Sequence, residues 1–166
     1  NPAALGNAWF INNIKIVPDA NAEIDSLTGF DPAGDAIVHA EFKDYVSGLK
    51  PSKNGSITLA SYSPNRVEYE SNTEGEQLAV FSEIWYGPNK GWQAYVDGKA
   101  VDHIRADYVL RAMKVPSGKH KITFEFKPKA YYLGETISLI SSSILLALLA
   151  FVIFKAFRKD KEVSVA

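Results

Sequence analysis

The sequence predicts a mainly β protein: an extracytoplasmic β-sandwich, jelly-roll-like, with a short N-terminal α/β segment and one C-terminal transmembrane helix. Three observations predict it. Short aromatic and β-branched runs, separated by turn residues, succeed one another from residue 56 to 127. One short helical pattern sits between two such runs near the N-terminus. Residues 137–154 form an 18-residue stretch without a charge.

The first run, 8–17 (AWFINNIKIV), reads as a strand ended by Pro18-Asp19. Residues 20–27 follow as a short helix with Asp19 or Asn21 as cap, Ile24 and Leu27 sharing a face. After the Phe30-Asp31-Pro32 turn, 36–42 (AIVHAEF) returns as a strand, and 43–55, with its Gly, Pro, Ser and Lys, reads as a loop. Seven strands are then predicted, over 56–63, 66–71, 77–85, 92–97, 100–105, 108–115 and 120–127. Pro64-Asn65, Glu74-Gly75, Gly87-Pro88-Asn89, Asp97-Gly98 and Pro116-Ser117-Gly118 punctuate them. Asp97-Gly98 suits a two-residue hairpin that requires positive φ. In the last strand Ile122, Phe124 and Phe126 alternate with Lys121, Thr123, Glu125 and Lys127, as a half-buried strand does.

Of the 18 uncharged residues at 137–154, 14 are apolar and four are serines. As a helix the run reaches about 27 Å, close to the hydrocarbon thickness of a bilayer. Serine hydroxyls can bond helix carbonyls, so Ser138, Ser141, Ser142 and Ser143 do not disqualify it, and small residues suit close packing on other membrane helices. Tyr131 and Tyr132 are candidate interface anchors. Lys155, Arg158, Lys159 and Lys161, against Asp160 and Glu162, give the tail a net 4 − 2 = +2. Residues 1–136 carry 14 − 17 = −3. Positive flanks stay cytoplasmic, so the expected order is an extracytoplasmic (periplasmic) β-rich domain over 1–130, a membrane helix over 131–157 and a cytoplasmic basic tail over 158–166. Because Asn1-Pro2-Ala3-Ala4-Leu5 lacks a basic and apolar leader, either a removed signal peptide or further membrane spans are expected upstream.

Composition narrows the chemistry. The 166 residues hold 18 Lys and Arg against 19 Asp and Glu, so no basic surface advertises nucleic acid. Zero cysteines exclude disulfides, thiolate metal sites and a cysteine nucleophile, and three scattered histidines argue against a metal centre. No glycine pattern fits a nucleotide loop. Neither a cofactor nor a metal is therefore expected. Asn54-Gly55-Ser56 has the spacing of an N-glycosylation site, equally an ordinary loop.

Trp85, Tyr86, Trp92 and Tyr95 bracket a hairpin, with Glu83 and Arg111 near in sequence. Aromatic faces stack on pyranose rings while carboxylate and guanidinium groups bond hydroxyls, so these six are the candidate glycan-binding residues. Trp85 and Trp92 read equally as core anchors, and Tyr95 as a cross-strand partner. No residue is assigned a catalytic role.

Residues 78–128 carry a resemblance to a known family. Phe81-Ser82-Glu83 with Trp85-Tyr86, Gly91-Trp92, Tyr95-Val96-Asp97-Gly98-Lys99, Asp107-Tyr108-Val109-Leu110-Arg111-Ala112 and Val115-Pro116-Ser117-Gly118-Lys119-His120 resemble the C-terminal region of the YfhO family of bacterial polytopic membrane proteins. Gly6-Asn7-Ala8-Trp9-Phe10 and the closing helix fit the same region. The resemblance implies a parent similar to GT-C glycosyltransferases, which use lipid-linked sugars. This chain is then a non-catalytic, glycan-facing accessory portion in the bacterial inner membrane, with lipid, neighbouring helices and glycan as partners. The alternative is a single-pass accessory or structural subunit of a membrane complex that binds a partner protein or glycan.

Overall fold

The computed structural model describes residues 4–87 and 90–163, with side chains to residue 155. Its first unit ends at Lys127 and its second begins at Pro128. The first unit is mainly β, as predicted. Its N-terminal run divides into two strands, β1 (Ala8–Phe10) and β2 (Asn13–Val17), rather than forming one. The backbone N–H groups of Asn12 and Asn13 both donate to the Gly34 carbonyl, at 2.6 and 3.0 Å, which turns the chain out of one sheet and into another.

Helix α1 (Ala20–Ser26) begins where Asp19 accepts from the Ala22 N–H at 2.9 Å, satisfying one of the helix's free donors. It crosses from β2 to the parallel strand β3 (Asp35–His39). Glu23 is fully buried, whereas Ile24 is exposed. The strand predicted to reach Phe42 stops at His39, whose ring accepts from the Glu41 N–H and caps a 3-10 turn, Ala40–Phe42. The loop expected over 43–55 opens with a helical turn, α2 (Lys43–Val46). Tyr45 anchors it, its hydroxyl donating to the Asp102 carbonyl at 2.9 Å and accepting from the Lys114 N–H at 3.0 Å.

The later strands are β4 (Gly55–Ser63), β5 (Arg66–Thr73), β6 (Gln77–Ile84), β7 (Trp92–Val96), β8 (Lys99–Val101), β9 (Ile104–Ala106), β10 (Leu110–Val115) and β11 (Gly118–Phe126). They form a five-stranded sheet, β4-β5-β11-β7-β8, and a four-stranded sheet, β1-β6-β10-β9. The run predicted as one strand over 100–105 is cut at Asp102-His103, where the chain leaves the first sheet for the second. His103 is half-buried there, its ring edge-on to Phe124 at 5.6 Å. The Asp97-Gly98 turn is as expected, with φ of 50° and 80°.

Alternation along β6 sets the layers. Ala79 and Phe81 join Tyr69, Met113, Ile122 and Phe124 in the core between the two sheets. Leu78 and Val80 join Ile11, Val38 and Ala112 in a second core beneath β2 and β3. The four-stranded sheet is thus covered on both faces, which is why β6 begins as an unbroken buried run. Phe81 meets Tyr69 and Phe124 edge-on at 5.0 and 4.9 Å, each pair contributing about 0.5–1.5 kcal/mol beyond its buried area.

The second unit is one helix, α3 (Lys129–Val163). Residues Lys129–Lys155 form a candidate membrane span with a window of mean hydropathy 2.6. Ser143 donates to the Leu139 carbonyl at 2.8 Å, and Thr136 likewise to Tyr132, so these hydroxyls need no water. The side chains of the expected basic tail, 158–166, lie outside the described residues, as do Pro88 and Asn89 of an expected turn.

Candidate functional site

At one end of the sandwich a groove of about 460 Å³ opens between the ends of strands from both sheets. Glu83, Ile84 and Tyr86 line it from β6 and just beyond, with Trp92 from β7 and Arg111 from β10. Tyr62 and Pro64 from the β4–β5 hairpin, Lys90, and Phe126 at the end of β11 complete the wall.

Arg111 forms the floor. It lies two residues from Met113 and four from Val115, in phase with both, so strand periodicity sends its guanidinium toward the inter-sheet core. The β6–β10 register shifts between Leu110 and Arg111, an irregularity of the kind that re-aims a side chain. The result is a residue 1 % exposed. Its Nε donates to the Ile84 carbonyl at 2.9 Å, and its Cζ lies 4.2 Å from the Trp92 ring centroid and 5.2 Å from that of Phe124. Nη1 is buried with no hydrogen-bond partner among the described residues. Burial lowers the Arg111 pKa from its ordinary value, while the Glu83 carboxylate opposes that shift. Guanidinium remains charged regardless.

Aromatic rings form the sides. Tyr62 and Tyr86 are more than half exposed, and Phe126 lies 5.4 Å from Trp92. Gly91 permits that approach: its φ is +107°, and a Cβ there would stand 2.6 Å from Cε2 of Phe126. Its carbonyl accepts from the Lys127 N–H at 2.6 Å, which ties the end of β11 to the start of β7.

Four of the six residues expected to bind glycan, Glu83, Tyr86, Trp92 and Arg111, therefore meet in one groove. Trp85 does not; it points to the other side, edge-on to Phe42 at 5.6 Å and 5.9 Å from the Arg105 guanidinium. Tyr95 sits on the outer face of the five-stranded sheet, opposite Thr123 and Ala100, by a shallow pocket with Arg66 and Glu125. Tyr62, Lys90 and Phe126 were not expected in the site. Their only sequence signal is position at strand ends, which strand periodicity does not bring together.

Two other polar clusters lie elsewhere. His120 places Nδ1 at 2.6 Å from Asp97 Oδ2 and Nε2 at 2.9 Å from the Ser117 carbonyl. Glu23 accepts from Arg105 and from the Tyr108 N–H, beside the buried Asp107. Among the described residues no group of three or more His, Asp or Glu side chains is disposed to hold a metal ion.

Comparison with known families supplies the remaining fact. The family described as bacterial membrane protein YfhO matches residues 35–138. The chain belongs to the YfhO family. No curated protein and no solved structure matches it. The match runs from β3 into α3 and takes in every residue of the groove. As a YfhO-family membrane protein, the chain has an apolar helix long enough to span a bilayer.

Proposed function

We propose that the β-rich unit of this YfhO protein is the glycan-facing accessory domain of a membrane glycosyltransferase using a lipid-linked sugar donor, and that the groove holds the acceptor saccharide. The observation that carries this reading is the buried Arg111 guanidinium, 4.2 Å from the Trp92 ring, in a groove walled by exposed tyrosines. Tyr62, Tyr86 and Trp92 offer faces for pyranose rings. Glu83 and Arg111 offer an acceptor and a donor for hydroxyls, and the strand framework holds both. The chain's own residues bind and orient; the groove contains no assigned nucleophile or base, and catalysis belongs to other parts of the enzyme. On this reading α3 lies in the bacterial inner membrane with the β-rich unit outside and Lys155, Arg158, Lys159 and Lys161 on the cytoplasmic side.

The experiment is binding of the full chain, in detergent micelles, to a panel of oligosaccharides. Tyr86→Ala should abolish binding while leaving unfolding unchanged, because the ring is 57 % exposed. Trp92→Ala should lose both binding and stability. Retained binding in both variants rejects the groove as the site.

A further inference from the structure

The groove's charges point to a narrower class of ligand. We infer that the saccharide it takes carries a negatively charged substituent, a carboxylate or a phosphate. This rests on the groove being a saccharide site, as proposed above.

Three charged side chains line the groove: Arg111 and Lys90 against Glu83, a net 2 − 1 = +1. Arg111 is held as a receptor group is held. Nε is fixed on a neutral carbonyl and the planar cation lies against two aromatic rings, leaving it little freedom. No ion pair neutralises it among the described residues, and Nη1 keeps an unmet donor. The other arginines with described side chains form ion pairs, although Arg105 Nε is also buried without a partner. Arg66 pairs with Glu68 and Glu125, and Arg105 with Glu23. The Glu83 carboxylate acts on Arg111 without an ion pair or hydrogen bond. A guanidinium removed from water without a bonded anion is costly, and the oxygens of a carboxylate or phosphate match its fork. Lys90, exposed on the rim, adds a second positive charge on the approach. A neutral sugar would offer the floor a hydroxyl oxygen but no charge to match the guanidinium.

The three tryptophans supply the readout, since Trp92 lies in the groove while Trp9 and Trp85 do not line it. The full chain, labelled with 15N at the indole nitrogens and held in micelles, is titrated with glucose, glucuronate, glucose 6-phosphate and inorganic phosphate. The Trp92 resonance should shift with an acidic sugar at concentrations at least about tenfold lower than with glucose, with Trp9 and Trp85 unmoved. Which acidic sugar acts at the lower concentration tells carboxylate from phosphate. Lys90→Gln, which removes the rim charge, should weaken the acidic sugars by a larger factor than glucose, and an equal loss for both would overturn the anionic class. Glucose acting as strongly as both acidic sugars would overturn the anionic class but not the saccharide site. Inorganic phosphate equalling glucose 6-phosphate would show an anion site that takes nothing from the sugar, and would overturn the saccharide site. No shift with any sugar would overturn the saccharide site itself.

Discussion

Glu23 and Arg105 form a 2.9 Å ion pair in which the carboxylate is fully buried and also accepts from the Tyr108 N–H at 3.0 Å. The pair joins α1 to β9, and the bond from the Tyr108 N–H joins it to the turn between β9 and β10. In that turn Asp107 and Tyr108 both have positive φ, 49° and 69°, a conformation costly for a bulky side chain. The buried acid on α1 thus holds a strained turn of the neighbouring sheet.

Glu23→Ala should therefore be among the most damaging single changes. It leaves Arg105 without its buried partner, a loss of about 3–5 kcal/mol. Urea unfolding of the variant is the measurement; a loss under about 1 kcal/mol, the scale of an exposed pair, would show that the pair does not hold the turn.

Asp107 makes stability depend on pH. Burial raises its carboxyl from 3.8 to about 6, against the opposing hydrogen bond from the Ile37 N–H. Between those values the folded chain keeps a proton that the unfolded chain has released, so its contribution falls as pH rises through the window and is level above it. The fall is about 3 kcal/mol at 1.36 kcal/mol per unit. Asp107→Asn, whose side chain tolerates positive φ, should flatten the unfolding midpoint between pH 4 and 6. An unchanged slope would assign the effect to another group.

The histidines should titrate far apart. The Asp97 carboxylate raises His120 above 6.5, helped by the Ser117 carbonyl, whereas burial and Arg111 push His103 down to about 4. The stabilisation from His120 is full below its unfolded pKa and is lost as pH rises through the higher folded value. NMR titration should find His120 above the ordinary range and His103 neutral at pH 6, and Asp97→Asn should return His120 toward 6.5.

Gly91→Ala should damage the groove rather than only the fold. The new methyl meets the Phe126 ring at a φ of +107°, a strain of about 1–3 kcal/mol. Oligosaccharide binding should fall together with the melting temperature. Binding retained at wild-type strength would separate Phe126 from the site.

The orientation of α3 is directly measurable because the chain has no cysteine of its own. Lys99→Cys, at the start of β8, should react with a membrane-impermeant maleimide added to intact cells. Labelling only after lysis would invert the proposed topology.

What the sequence made legible was local. Asp19 caps α1 and Asp97-Gly98 turns its hairpin because each is decided within a few residues. The division of 8–17 and of 100–105 was not legible, since neither Ile11-Asn12 nor Asp102-His103 carries a turn signature. Both breaks follow from which sheet each half pairs with, a choice made by distant strands. The site was legible in part for the same reason. Glu83, Tyr86, Trp92 and Arg111 could be nominated from residue type, but Trp85 and Tyr95 fall on other faces. Arg111 carried the better signal, a cation in register with Met113 and Val115 on a core-facing stripe.

The strand that leads into α3 is β11, and it lies at the middle of the five-stranded sheet with β5 on one side and β7 on the other. Any mechanical tension passed along the chain from a helix anchored in lipid thus enters the sheet at its centre. Extracting β11 means rupturing two ladders at once, so the domain is clamped against tugging at the end where the chain is tethered.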